Sequence, residues 1–210
     1  MVKVNEIADS LYTVSGITET EYKIQKSVFI AGVYPAENKE QSIEYHHSVK
    51  KKYFDASHHP FAFRIGFDKN NFRYNDDGEP TGSSGKPILD AIDKFNITNV
   101  MIVVTRYYGG VKLGVGGLKR AYYDSAVQCI EKTEIVEKIL FEDFRIIFDY
   151  DFISPVMNYL EKHKFKVIEN VSDEKVRLIC PVRLSCTESF RKELINLTKG
   201  KILIENKVQI

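Results

Sequence analysis

Apolar positions change their spacing several times along this chain, and the changes mark out its elements. Leu11–Val14 and Ser27–Tyr34 are dense in β-branched and aromatic residues and predict strands. Glu37–Lys52 is mostly polar, with Ile43 and Val49 spaced for a helix with a thin apolar face. Beyond Pro60, Phe61–Phe67 alternates large apolar with small or polar residues. The turn Asp68–Asn71 then leads into Phe72–Tyr74, so this stretch predicts a hairpin. Ile88, Leu89, Ile92 and Phe95 recur at helical spacing behind Pro87, which suits a first helical turn because its missing N–H would have no partner there. Asn99–Thr105 encloses a short, continuous apolar run bounded by turn formers, the pattern of a strand covered on both faces. Leu118–Lys132 reads as a helix with Leu118, Ala121, Tyr122, Ser125, Ala126, Cys129 and Ile130 on its inner side.

The second half has a simpler rhythm. Leu140–Tyr150 alternates as a strand, Asp151–Lys164 is helical with Ser154-Pro155 near its start, and Phe165–Val171 is a strand. Ser172–Lys175 is a turn. Val176–Val182 is a strand whose Pro181 favours an end or an edge. Thr187–Thr198 is a helix carrying Phe190, Leu194 and Leu197 on one face, Gly200 stands at a C-cap position, and Ile202–Ile210 closes the chain as a strand. The order β-α-β-β-α-β is the ferredoxin-like pattern. The chain therefore reads as α+β in two domains, residues 1–134 and 135–210, joined near Thr133–Lys138, with no internal repeat or low-complexity tract.

Composition narrows the classes. With 210 residues, 43% hydrophobic and 28% charged, the chain can bury real cores. A formal net charge of +1 provides no global field toward nucleic acid or an anionic membrane, so any such binding must come from local clustering. No apolar run spans a bilayer, and the N-terminus from Met1 to Glu6 lacks the apolar core of a signal peptide; a cytoplasmic location and no membrane partner are expected. Cys129, Cys180 and Cys186 fit no zinc spacing, and their odd number argues against a disulfide framework; none is assigned a catalytic role.

Three groups of residues carry candidate chemistry. The first is the glycine-rich stretch Gly109, Gly110, Gly114, Gly116 and Gly117 between a buried strand and a helix. Inward-turned amides and a helix N-terminus favour a phosphate or another anion there. Arg106, Lys112, Lys119 and Arg120 concentrate positive charge around it, and Tyr107 and Tyr108 offer rings for stacking. A tight structural crossover is the competing reading. Neither a Walker A loop nor a dinucleotide fingerprint is present: Pro80 and Pro87 break the first at Gly85-Lys86, and Lys119 stands where the second needs glycine. The second group, Asp76, Asp77 and Glu79, either sets a turn or holds a hard cation, and the turn is preferred. The third is histidine. His58, with Asp55 and His59 nearby and His46 and His47 in the first helix, invites a metal site or a general base acting on Ser83 or Ser84. No supporting motif accompanies it, and structural histidines are preferred. No metal or cofactor is expected.

Across residues 19–132 the chain resembles the IMPACT N-terminal domain family, whose bacterial members include YigZ-like proteins. The resemblance rests on Gly85–Leu89, on Val103–Leu118, on Asp76–Gly82, on Asp55–His58 and on Lys26–Ile30. The C-terminal half resembles the ferredoxin-like domain that bacterial members append, akin to domain V of elongation factor G. The resemblance implies an N-terminal fold like the second domain of a small-subunit ribosomal protein, a two-layer β/α arrangement, and implies no established enzyme activity. Eukaryotic relatives modulate translational control by binding a regulator of the starvation-sensing kinase, partly through a domain that this chain does not contain, so that partner is not carried over. After His58 the family often has Asn-Cys-Trp where this chain has His59-Pro60-Phe61, so any role of that cysteine does not transfer. The expected function is binding of RNA, a ribosomal surface or a translation factor. The alternatives are an enzyme acting on a phosphorylated small molecule at the glycine-rich loop and a protein-interaction module. The partner's identity and the oligomeric state are left open.

Overall fold

A computed structural model describes residues 9–206, which form two compact units, residues 11–138 and residues 139–206 together with 9 and 10. The hexapeptide Met1–Glu6 and the last four residues of the expected final strand lie outside the described residues. The chain is mixed α+β, as its apolar spacing predicts.

The first unit is built on a five-stranded antiparallel sheet. Its strands are β2 (Thr18–Ile24), β3 (Ser27–Pro35), β4 (Phe61–Arg64), β5 (Phe72–Asn75) and β6 (Val100–Tyr107), ordered β2-β3-β6-β4-β5. β6 is central, which accounts for its unbroken apolar sequence. Val100, Ile102 and Val104 enter the core beneath helices α2 (Gly85–Lys94) and α3 (Gly114–Glu131). Met101 and Val103 enter a smaller core covered by Tyr45 and Val49 of α1 (Lys39–Lys52). At roughly 1.5–3 kcal/mol for each buried Val, Ile or Met, this one strand contributes to both cores at once. Strands β1 (Ser10–Val14) and β7 (Ile135–Ile139) pair as a separate two-stranded ribbon.

Two elements of this unit are absent from the sequence reading. β2 is an edge strand whose exposed Glu19, Glu21 and Lys23 alternate with inward Thr20, Tyr22 and Ile24, so a period of two is present but only two of its inward residues are strongly apolar. β7 is mostly exposed and presents too little apolar contrast to register. A third difference bears on function. The helix expected from Leu118 begins at Gly114, so Gly114, Gly116 and Gly117 belong to its first turn. Glycine's low helix propensity is overridden there by burial of Leu118, Ala121 and Tyr122, and Gly114 enters the helix at φ +70°, where a side chain would be strained.

The second unit comprises β8 (Phe141–Phe148), α4 (Ile153–Lys162), β9 (Glu169–Ser172), β10 (Val176–Arg183), α5 (Thr187–Leu197) and β11 (Ile202–Asn206), with short 3-10 turns before each helix. Its four strands, in the order β11-β8-β10-β9, are all antiparallel, which is the ferredoxin-like arrangement. Alternate residues Phe144, Ile146, Phe148 and Val176, Leu178, Cys180, Val182 meet Val156 and Leu160 of α4 and Phe190 and Leu194 of α5. β9 begins four residues later than its apolar residues suggest. Phe165 leaves the sheet to pack edge-on against Phe190, with ring centroids 5.0 Å apart.

Candidate functional site

The segment from Asp76 to Gly85 is a turn held by one carboxylate. α2 begins without a side-chain cap from its own Ser84. Asp76 supplies it instead, accepting from the backbone N–H of Gly82 (2.8 Å), Ser84 (3.0 Å) and Gly85 (2.8 Å) and from the Ser84 hydroxyl (2.8 Å). Partial burial pushes its pKa up, but these bonds to the charged form outweigh burial and hold it below the usual carboxylate value. Gly85 is required because a Cβ there would lie 2.8 Å from the Asn75 carbonyl oxygen.

Asp77 closes the next contact, at φ +43°. It accepts from Lys50 Nζ (2.8 Å) and from the backbone N–H of His59 (2.7 Å). Burial raises its pKa, but the ammonium and the amide together lower it by more, for a net depression. The histidines serve the same framework. His58 Nδ1 lies 2.8 Å from the Asp77 carbonyl oxygen, His46 Nε2 lies 3.0 Å from that of His59, and His59 Nε2 lies 3.0 Å from that of Tyr53. A carbonyl only accepts, so each of these ring nitrogens carries the proton. His58 makes no hydrogen bond to Ser83 or Ser84. Among the described residues no three His, Cys, Asp or Glu side chains are grouped to hold a metal ion.

Glu79 and Arg106 form an ion pair that the sequence does not disclose. Arg106 Nη1 donates to Glu79 Oε1 at 2.6 Å with only 7% and 3% of the two side chains exposed. The Tyr122 hydroxyl donates to the same oxygen at 2.7 Å, and burial followed by the Glu79 charge drives its pKa far above the usual phenol value. Arg106 lies against the rings of Phe29 and Tyr108, 5.5 and 5.3 Å from their centroids. Arg106 Nε, Ser83 Oγ and Thr105 Oγ1 are buried without a hydrogen-bond partner among the described residues. Arg106 is thus removed from the exposed cation cluster expected of it: its charge is neutralised by Glu79 beneath the loop. Apolar spacing places Tyr122 in the core, but nothing in the sequence ties it to an acid 43 residues away.

The rest of the glycine-rich stretch lies at the surface. Gly109 packs against the β2–β3 turn, where a Cβ would come within 2.1 Å of the Lys26 carbonyl, and its N–H donates to Ser27 Oγ at 3.2 Å. Gly110 turns at φ +82°. The N-cap position of α3, Leu113, makes no side-chain capping bond, so the first-turn amides face outward with the positive end of the helix. Lys112, Lys119 and Arg120 are exposed, and none is paired with a carboxylate among the described residues. Lys119 and Arg120 follow Val115 and Gly116 by one turn, and helical side chains lean toward the N-terminus. No Asp or Glu occurs between Asp93 and Asp124. The tyrosines divide: Tyr107 donates to Asp55 Oδ1 at 2.7 Å, which raises its pKa to about 12, whereas Tyr108 is 47% exposed.

Comparison with known proteins matches this architecture. The Impact N-terminal domain model covers residues 25–130, and a domain of unknown function, DUF1949, covers residues 146–201. The chain is 33% identical to IMPACT family member YvyE of Bacillus subtilis, over 91% of this chain and 88% of that protein. It is 28% identical to IMPACT family member YigZ of Escherichia coli, over 86% and 89%. A crystal structure of a hypothetical protein superposes with a TM-score of 0.68 at 25% identity, covering 97% of this chain and all of the other.

Proposed function

The chain belongs to the IMPACT family, in its bacterial two-domain form, and on that premise we propose that it is a cytoplasmic RNA-binding protein of the translation apparatus. The first turn of α3 and the loop before it contact phosphates. The observation that carries this reading is the charge balance of that surface: Lys112, Lys119 and Arg120 are exposed and make no ion pair among the described residues, and no acid lies between Asp93 and Asp124, beside an uncapped helix N-terminus. Such a surface favours an anion although the chain as a whole carries a formal net charge of only +1, and Tyr108 adds a ring on which a base stacks. Arg106 takes no phosphate. It fixes the floor of the loop through Glu79.

Catalysis receives less support. Asp76 is occupied by backbone donors, Asp77 by Lys50 and His59, and Glu79 by Arg106 and Tyr122, so none of the three stands ready as an acid, a base or a metal ligand.

The test is RNA affinity measured across a salt series on the wild type and on Lys112→Ala/Lys119→Ala. Wild-type affinity is expected to fall steeply with salt. The double variant is expected to bind more weakly, with the log–log salt slope reduced by about 1.5–2. Equal binding by both proteins, or binding by neither, overturns the proposal.

A further inference from the structure

The ferredoxin-like unit contains a cleft of about 1240 Å³, lined in part by Tyr159, Lys162, Lys164, Phe165, Lys166 and Glu193. This is at or above the size of cavities that enclose small ligands. Its apolar side is an aromatic assembly. The Tyr159 and Phe165 rings are 5.8 Å apart, and the His163 ring lies 4.7 Å from the first and 6.2 Å from the second, inclined only 26° to the latter. Its polar side is cationic. Lys162, Lys164 and Lys166 are exposed and make no ion pair among the described residues, while Arg183 lies 3.5 Å from Asp9. Glu193 is the only carboxylate among the lining residues. Counting Lys162, Lys164, Lys166 and Arg183 against Glu193 and against Asp9, which pairs with Arg183, gives 4 − 2, a formal excess of two positive charges with His163 left out of the count.

The backbone is shaped to create this arrangement. Lys164 sits at φ +58°, a left-handed position that glycine or asparagine occupies more cheaply. From there Phe165 turns back beneath α4, its N–H bonding to the Leu160 carbonyl at 2.8 Å, so its ring enters the core. Complementing the α4 dipole accounts for Lys162 in the last helical turn, and the pair with Asp9 accounts for Arg183 at the end of β10; neither accounts for Lys166. Tyr159 is half-buried, and its hydroxyl makes no hydrogen bond among the described residues.

We propose that this cleft is a binding site for a free nucleoside di- or triphosphate, whose base lies against the rings of Tyr159 and His163 and whose phosphates meet Lys162, Lys164, Lys166 and Arg183. Aromatic faces accept any base, and several cations with an excess of two charges match a polyphosphate better than a monophosphate. The site shares no residue with the α3 surface, so either assignment stands or falls without the other.

Calorimetric titration of the intact chain tests it with ATP, AMP and inorganic tripolyphosphate as probes. ATP is expected to bind at least tenfold more tightly than either AMP or tripolyphosphate, because only ATP engages both sides of the cleft. Lys162→Ala/Lys166→Ala replaces exposed residues and is expected to weaken ATP about tenfold or more. Tyr159→Leu is expected to weaken ATP by a similar factor while leaving tripolyphosphate unchanged. Lys112→Ala/Lys119→Ala is expected to leave ATP affinity unaltered. Folding of each variant is checked by its amide spectrum, and the lysine variant keeps the test valid if Tyr159→Leu does not fold. The proposal is overturned if ATP fails to bind or binds no better than tripolyphosphate. It is equally overturned if the lysine variant binds ATP normally, or if binding occurs only to an RNA oligomer.

Discussion

The 11–138 unit buries a complete ion pair, Glu79 with Arg106, along with Ser83, Ser84, Thr105 and Ser125. In the ferredoxin-like unit the buried polar residues, among those described, are Thr187 and Thr198, and the core is otherwise Phe, Ile, Leu, Val and Cys. At the surface the two units are alike. The signature-rich unit binds the carboxylates of its motif into its own loops and leaves Lys112, Lys119 and Arg120 without an ion pair, and the ferredoxin-like unit leaves Lys162, Lys164 and Lys166 without one around a cleft, among the described residues. A dense polar motif is therefore not in itself a reactive site. Much of Asp76–Gly85 and of Arg106–Gly109 is the apparatus that positions two helix N-termini, and the groups left for a ligand are those the motif does not use.

Breaking the buried pair produces the largest effect and the sharpest test of this contrast. Arg106→Met strands the Glu79 carboxylate in the interior, and about 3–5 kcal/mol of stability is expected to be lost in urea unfolding of the 11–138 unit. Combining it with Glu79→Leu removes both charges and is expected to recover a large part of that loss, since no charge then lies unpaired. If Arg106→Met costs no more than an exposed substitution, Arg106 is not the buried anchor described above. An apolar-for-apolar change in the second unit, such as Ile146→Val, is expected to cost only about 0.5–1.5 kcal/mol.

Next in size is the surrogate cap. Asp76→Ala leaves the N–H groups of Gly82, Ser84 and Gly85 unsatisfied and is expected to cost about 1–2 kcal/mol, with Asp76→Asn retaining part of it. The choice of a turn over a cation site for Asp76-Asp77 follows from composition, because Gly, Pro and Ser surround the acids. The recipients of those carboxylates were not legible. Lys50, Arg106 and Tyr122 stand 27 residues from Asp77, 27 from Glu79 and 43 from Glu79, and pairing at such separations is set by tertiary packing rather than by any local period. Strands and helices with strong apolar alternation, such as β6, β8 and β10, were legible because burial itself writes the pattern. Strands with few apolar inward residues, such as β2 and β7, carry a fainter mark.

Acid extends the comparison in a smaller, graded way. Asp76 and Asp77 have folded pKa values below their unfolded ones, so the stability they contribute is present above about pH 4 and is lost as pH falls through the folded values. His46 acts earlier. Burial lowers its pKa against the hydrogen bond to His59, so it stays neutral in the folded unit where the unfolded chain already protonates it. Its contribution is present above about pH 6.5 and is lost as pH falls below that. In the ferredoxin-like unit the carboxylate held low is Asp173, on the exposed turn before β10. Hydrogen exchange across a pH series is expected to show the 11–138 unit losing protection at higher pH than the ferredoxin-like core. Simultaneous loss in both units would contradict the assignment.

The smallest effect separates two neighbouring rings. Tyr107 and Tyr108 look equivalent in the sequence, and both are candidates for stacking. The Tyr107 hydroxyl is tied to Asp55, and the chain holds this ring at the end of β6 for a structural reason; Tyr108 has no such bond and presents an exposed face with Arg106 behind it. Tyr107→Phe removes one surface hydrogen bond and is expected to change stability by no more than about 0.5–1 kcal/mol and RNA affinity not at all. Tyr108→Ala is expected to leave stability nearly unchanged and to weaken RNA binding by roughly 1–3 kcal/mol, the worth of one stacked base. Equal loss of RNA affinity in both variants would mean that the Asp55 bond positions the loop for its ligand. The division between groups that build the surface and groups that use it would then have to be drawn one residue earlier, at Tyr107.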